Sequence, residues 1–322
     1  MCRLYSPMMP RGALLLALCL TGCARPAAPR EPAPRPDGTV ESLRLLLRTE
    51  RSEYFGLTYW SDGLRVEGFL GRPRAGAPHP AVIFNRAGHL DLNALRGPEL
   101  VPLVERGFVA IASQYRGNTG GEGREEYGGA EVNDVLNLVL LLRGLPEVDP
   151  DRIGMMGWSR GGTMTYLALK QETLRGTRDI KAAVAIGAPA DFSRGFWARL
   201  QIAVVNLTRS APRSGRFPDP VRERSAVFWP ELIGAPLLIL HGEADGMVPV
   251  EDARRLALLL RDAGKSVRLV TYPADNHALA AHDAGYPEAV AWFERHLGKA
   301  GEDHSFEGHR EDVRRAFQEW AR

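Results

Sequence analysis

Cysteine is nearly missing from this 322-residue chain: Cys2, Cys19 and Cys23 are the only three, and none follows residue 23. If processing leaves Cys23 as the first mature residue, no internal disulfide can form and core packing alone must hold the fold. A membrane-length apolar run is lacking too. The N-terminal stretch Ala13–Leu20 has eight residues, against the roughly 20 a spanning helix needs. Charge of one sign is not in excess, with 41 Lys plus Arg against 39 Asp plus Glu, so a nucleic-acid partner is not expected. No group of histidines, cysteines and carboxylates has metal-ligand spacing, and neither a metal nor a cofactor is expected.

What the N-terminus does contain reads as an export signal. Arg3 and Arg11 precede the apolar run, and Leu20-Thr21-Gly22-Cys23 follows it. This tetrapeptide resembles the bacterial lipobox, which implies lipidation at Cys23 and anchoring to a bilayer through acyl chains. Residues 1–22 are then a lipoprotein signal peptide. Ala24 after Cys23, rather than aspartate, points to an exported, outer-membrane-anchored or periplasmic protein. Loss of Arg3 and Arg11 takes the basic count from 41 to 39, equal to the acidic count. Pro26, Pro29, Pro32, Pro34 and Pro36 interrupt regular hydrogen bonding, so residues 23–51 are read as the lipidated cysteine and a proline-rich tether.

From residue 52 to 322 the pattern is that of one α/β domain. Tyr54–Trp60 and Leu64–Leu70 flank the turn Ser61-Asp62-Gly63 and predict a hairpin. Short apolar runs then alternate with helical spacing: strands at 80–84, 109–112, 153–158, 181–186, 235–240 and 266–272, helices near 98–106, 130–143, 163–170, 250–263 and 288–297. That alternation predicts a mostly parallel sheet with helices on both faces. Residues 192–230 break it with Phe192, Phe196, Trp197 and arginine-rich segments, and read as a small helical insertion over the site. Residues 298–322 form an atypical tail in which Glu302-Asp303-His304 echoes Asp275-Asn276-His277.

The chemistry concentrates on Ile153–Gly162, IGMMGWSRGG, where an apolar strand runs into Gly157-Trp158-Ser159-Arg160-Gly161. This is the G-x-S-x-G pattern of a nucleophile elbow, whose glycines allow a strained turn and close helix packing. A serine hydroxyl needs a base, and an imidazole needs a carboxylate to hold its tautomer. Asp245 follows the 235–240 strand after a short turn, and His277 follows the next strand, giving the chain order serine, acid, histidine. Glu243 comes too early, Asp191 is a displaced-acid alternative, and His304 is an alternative base. His89 and His241 are read as local loop histidines. The oxyanion hole is assigned to main-chain donors, the N–H of Arg160 with that of Arg86 or Ala87, so the donors do not themselves require the arginine side chains. Glu125-Glu126 is read as surface charge.

Four motifs in this order, Ser61-Asp62-Gly63-Leu64, Ser113-Gln114-Tyr115-Arg116-Gly117, Gly157-Trp158-Ser159-Arg160-Gly161-Gly162 and His241-Gly242-Glu243-Ala244-Asp245, resemble the catalytic domain of the prolyl oligopeptidase family of serine peptidases, over about residues 54–297. The resemblance implies an α/β-hydrolase fold with an eight-stranded, mostly parallel sheet. It also implies acyl transfer by Ser159, His277 and Asp245 to cleave a peptide or peptide-like amide, with a small ester as the alternative substrate. An inactive binding module on the same fold is the other reading. The chain departs from the family in two places. Residues 24–52 are too short for the N-terminal propeller of larger members, and Asn85-Arg86-Ala87-Gly88 carries no tyrosine to act as a side-chain oxyanion donor.

Overall fold

A computed structural model of the chain describes residues 35–91, 94–194, 220–279, 285–299 and Arg315. The expected signal peptide, Cys23, His304, Phe196 and Trp197, and nearly all of the tail lie outside the described residues, as does most of the insertion. Nine strands form one sheet: β1 (Val40–Arg48), β2 (Ser52–Ser61), β3 (Leu64–Pro73), β4 (His79–Asn85), β5 (Val109–Ser113), β6 (Val148–Trp158), β7 (Ile180–Ile186), β8 (Leu237–Gly242) and β9 (Val267–Tyr272). Their spatial order is β1-β2-β3-β5-β4-β6-β7-β8-β9. The β1–β2, β2–β3 and β3–β5 pairs are antiparallel, and every pair from β5 through β4 to β9 is parallel. This is the α/β-hydrolase architecture, with one strand more than the eight expected.

The extra strand corrects the tether boundary. The sequence reading ended the tether at residue 51, yet Val40–Arg48 pairs along β2, from Val40 opposite Tyr59 to Arg48 opposite Glu53. Its burial is irregular and Leu43 and Leu45 are exposed. An edge strand is recruited by backbone hydrogen bonds, which need no alternating side-chain pattern.

Among the described residues six helices accompany the sheet: α1 (Val101–Val104), α2 (Val132–Arg143), α3 (Arg160–Arg175), α4 (Pro220–Arg224), α5 (Val250–Asp262) and α6 (Gly285–Leu297). The helix expected over 98–106 is a single turn of 3-10 helix, Pro98–Leu100, leading into the four-residue α1. Successive strand residues face opposite ways, so β4 feeds two cores. Ala81 and Ile83 pack with Val135, Met164 and Leu256 of α2, α3 and α5, while Val82 and Phe84 pack with Val104 of α1 and Phe293 of α6. Full burial on both faces explains the unbroken apolar runs in the central strands. None of the described helices is long and apolar enough to cross a membrane.

The parallel strands bring their C-terminal ends to one edge of the sheet. Ser159 follows β6, Asp245 follows β8 and His277 follows β9. Residues more than 100 positions apart thus become neighbours, as the crevice at the strand ends of an open α/β sheet requires.

Candidate active site

Ser159 sits where β6 ends and α3 begins, with φ 54° and ψ −123°, a region L residues rarely occupy. Two glycines make the turn possible. A Cβ on Gly157 would lie 2.1 Å from the Gly161 carbonyl oxygen, and one on Gly161 would lie 2.0 Å from that of Asn85. The Ser159 N–H donates to the Ile186 carbonyl at 2.7 Å, fixing the elbow to β7. The strain gives a direct prediction. Ser159→Gly should be more stable than Ser159→Ala by about 1 kcal/mol, the backbone relief exceeding the unfolded-state entropy of glycine, as read by urea unfolding of the two variants.

Two further loops complete the constellation. His277 Nε2 is 2.9 Å from Ser159 Oγ, and His277 Nδ1 is 2.7 Å from Asp245 Oδ2. The Asp245 side chain is buried, and its Oδ1 accepts the N–H groups of Met247 and Val248, both at 2.8 Å. The Ala244 N–H donates to the Asp275 carbonyl at 2.9 Å, tying the acid loop to the histidine loop. Trp158 Nε1 donates to the His277 carbonyl at 3.0 Å. The residue before Ser159 therefore holds the backbone of His277.

His241 contributes more than the local loop role expected of it. Its buried Nε2 lies 2.9 Å from the Val248 carbonyl and 3.3 Å from Asp245 Oδ2. Both neighbours accept, which assigns its proton to Nε2. Burial raises the Asp245 pKa, but hydrogen bonds from His241, His277 and the Val248 amide outweigh it, holding the carboxyl well below the usual carboxylate range. It stays ionised at neutral pH, as a partner for imidazolium must.

The competing acids do other work. Glu243 Oε1 accepts from Arg254 at 2.7 Å and Thr271 at 2.8 Å. Asp191 is buried, accepts from the Ser193 amide at 3.0 Å and pairs with Arg255. Phe192 is buried against Tyr127, with ring centroids 6.3 Å apart.

Beside Asp191, burial and the like charge of Asp191 push the Asp252 carboxyl up to about 6, against hydrogen bonds from the backbone at Asp191 and Ala190. A raised folded-state pKa gives a contribution that is complete below about pH 4 and is lost as pH rises through about 6. Asp252→Asn should therefore stabilise the protein at pH 8 by about 1–2 kcal/mol and have little effect at pH 4, the amide losing one acceptor oxygen relative to the carboxylate. Urea unfolding at the two pH values checks this.

Arg160 opens α3, so its N–H has no intrahelical carbonyl to bond. Residues 85–88 run directly alongside, as the Gly161–Asn85 approach shows. The arginine side chains at these positions are both buried, an arrangement not foreseen from the sequence. Glu125, read there as surface charge, is buried between them, and Glu131 is buried with it. The loop does have a tyrosine neighbour, Tyr115, whose OH donates to the Arg86 carbonyl at 3.2 Å.

Comparison with known proteins adds a lineage to this geometry. A model of the prolyl oligopeptidase family matches residues 94–300. The uncharacterized peptidase YtmA of Bacillus subtilis is 28% identical over 240 residues, covering 74% of this chain and 91% of YtmA. A puromycin-hydrolyzing peptidase from Mycobacterium tuberculosis superposes with TM-score 0.60 at 23% identity over 73% of this chain, which spans only 38% of that larger protein. An acetyl xylan esterase from Paenibacillus sp. R4 superposes with TM-score 0.61 at 16% identity, covering 80% of this chain and 90% of the esterase. At such identities the two structures share the fold.

Proposed function

Because the chain belongs to the prolyl oligopeptidase family, and so is a serine hydrolase acting on peptide or ester bonds, we propose that it cleaves peptide or peptide-like amides by acyl transfer to Ser159. In this scheme His277 Nε2 takes the Ser159 proton as Oγ attacks the carbonyl carbon. Asp245 keeps the imidazole proton on Nδ1 and stabilises the imidazolium. The N–H of Arg160, with that of Arg86 or Ala87, receives the oxyanion. His277 then returns its proton to the leaving nitrogen, and water releases the acyl group by the reverse sequence. An amide needs that second transfer more than an ester does, because an amine anion is a far poorer leaving group than an alkoxide.

The observation that supports this reading is the unbroken chain of hydrogen bonds from Asp245 through His277 to Ser159. Family membership and the likeness to a protein named as a peptidase favour amides over esters. Purified protein should react stoichiometrically with a fluorophosphonate, lose that reaction in Ser159→Ala, and cleave members of a panel of aminoacyl, blocked-peptide and prolyl-peptide amides. Turnover of activated esters with no amide cleavage would make it an esterase, and a folded wild type that takes no label would make it a binding module.

We also propose that the mature protein is an exported lipoprotein anchored through Cys23, on the strength of the Leu20-Thr21-Gly22-Cys23 pattern. Mass measurement of the mature N-terminus, with membrane fractionation of Cys23→Ala, tests it. An unmodified N-terminus beyond residue 23 would sink it.

A further inference from the structure

Among the buried carboxylates that the acyl-transfer scheme leaves unused, Glu125 has contacts that are unusual in where they lead. Glu125 Oε2 accepts the Leu90 N–H at 2.9 Å and Asn118 Nδ2 at 2.9 Å, and lies 3.5 Å from Arg86 Nη2. Its Oε1 is in contact with Arg160 Nη1 and 3.3 Å from His89 Nδ1. The two arginines continue outward from this centre. Arg86 donates from Nε to the Gln114 carbonyl at 3.0 Å, from Nη1 to that of Ala87 at 3.2 Å and from Nη2 to that of Leu90 at 2.8 Å. Arg160 donates from Nη1 to the Gly88 carbonyl at 2.9 Å and from Nη2 to Glu131 Oε1 at 3.0 Å. Both guanidinium groups lie over the Tyr115 ring, that of Arg86 at 5.0 Å and that of Arg160 at 4.8 Å from its centroid.

Stability is a poor reason for such a cluster. Removing ions from water costs nearly what their pairing returns, and apolar side chains of the same volume would do as well. What ions and forked guanidinium groups supply is directional fixing of the atoms they bind. Here the bound atoms include the Ala87 and Gly88 carbonyls, and the two arginines that meet at Glu125 belong to the segments to which the main-chain oxyanion donors are assigned, 86–88 and 159–160. These segments come from different parts of the chain, and each donor is effective only when aimed at the point where negative charge develops.

We propose that Glu125 is a positioning residue for the oxyanion hole: by holding Arg86, Arg160 and Leu90 together, it sets the spacing between the donor segment after β4 and the donor segment at the elbow. The proposal rests on the acyl-transfer reading of Ser159. It also carries a sign. Removing a negative charge close to a developing oxyanion would, by charge alone, speed the reaction, whereas releasing the two segments slows it.

The test uses the full chain with p-nitrophenyl acetate and its thionoester counterpart, whose sulfur is a weak hydrogen-bond acceptor and gains less from oxyanion donors. Glu125→Gln is expected to lower kcat for the ester by about 100-fold with KM nearly unchanged, and to lower the thionoester rate much less, by analogy with loss of one oxyanion donor. Asn118→Ala, which removes one donor to Glu125 and leaves both arginines in place, should shift the ester-to-thionoester ratio the same way by about fivefold. It decides the matter if Glu125→Gln does not fold. An ester kcat that is unchanged or raised, or an equal fall for both substrates, in whichever of the two variants folds, overturns the proposal. A wild type with neither labelling nor turnover is a different failure, that of the acyl-transfer reading itself.

Discussion

Replacing His277 with alanine is expected to lower kcat by about 10⁶-fold for amide substrates, and by less for activated esters, with KM changing little. The imidazole is the one group within hydrogen-bond reach of Ser159 Oγ, at 2.9 Å, among the described residues. Without it the hydroxyl must lose its proton to water, and the leaving group must find its proton there. A residual rate above the uncatalysed one should survive, because the main-chain donors and the binding surface remain. Steady-state kinetics of Ser159→Ala, His277→Ala and the double variant provide the check. The double variant should be no worse than either single one, since the two groups act as a unit. Activity retained in His277→Ala and lost in His304→Ala would move the base to the tail.

Asp245→Asn is expected to lower kcat by about 10⁴-fold at neutral pH while leaving the fold intact. The carboxylate accepts on both oxygens, from His277 and His241 at Oδ2 and from the Met247 and Val248 amides at Oδ1. An amide keeps one accepting oxygen. With that oxygen on the two backbone donors, its NH₂ faces His277 Nδ1, forcing the proton onto Nε2, where the ring can no longer accept from Ser159. The NH₂ also meets the Nε2–H of His241, so the second histidine makes the wrong tautomer more costly.

The same substitution has a pH signature. A carboxyl held below its unfolded value stabilises the fold above about pH 4 and loses that contribution as pH falls below it. Asp245→Asn should therefore flatten the acid limb of the stability curve, measured by urea unfolding between pH 3 and 7. Activity loss without that flattening would separate the role of Asp245 in orienting His277 from its role in stability.

Much of this was legible because it depends on short stretches of chain. An apolar run ending in Gly157-Trp158-Ser159-Arg160-Gly161 admits few backbone solutions, and the elbow is the one that buries the strand and exposes the serine. Asp245 and His277 could be read because each follows an apolar strand by a few residues, and parallel strands deliver such positions to one edge. The hairpin at Ser61-Asp62-Gly63 was equally local, with Ser61 opposite Leu64 in the pairing.

Glu125 was misread for the opposite reason. Adjacent acids between glycines look like solvated charge, and the groups that neutralise Glu125 are Arg86 and Arg160, at separations that leave no periodic trace. β1 failed similarly: proline-rich sequence before it and irregular burial along it disguised an edge strand selected by backbone pairing.

The layered α/β fold, the turn at Ser159 and the positions of Asp245 and His277 after their strands can be read from the chain, because strand length, glycine spacing and apolar runs act over a few residues. Only folding shows which carboxylates are neutralised, that His241 approaches Asp245, and that Glu125 meets both Arg86 and Arg160. Those outcomes depend on burial and on distances between remote segments, and a buried charge takes its meaning from the opposite charge that folding places beside it.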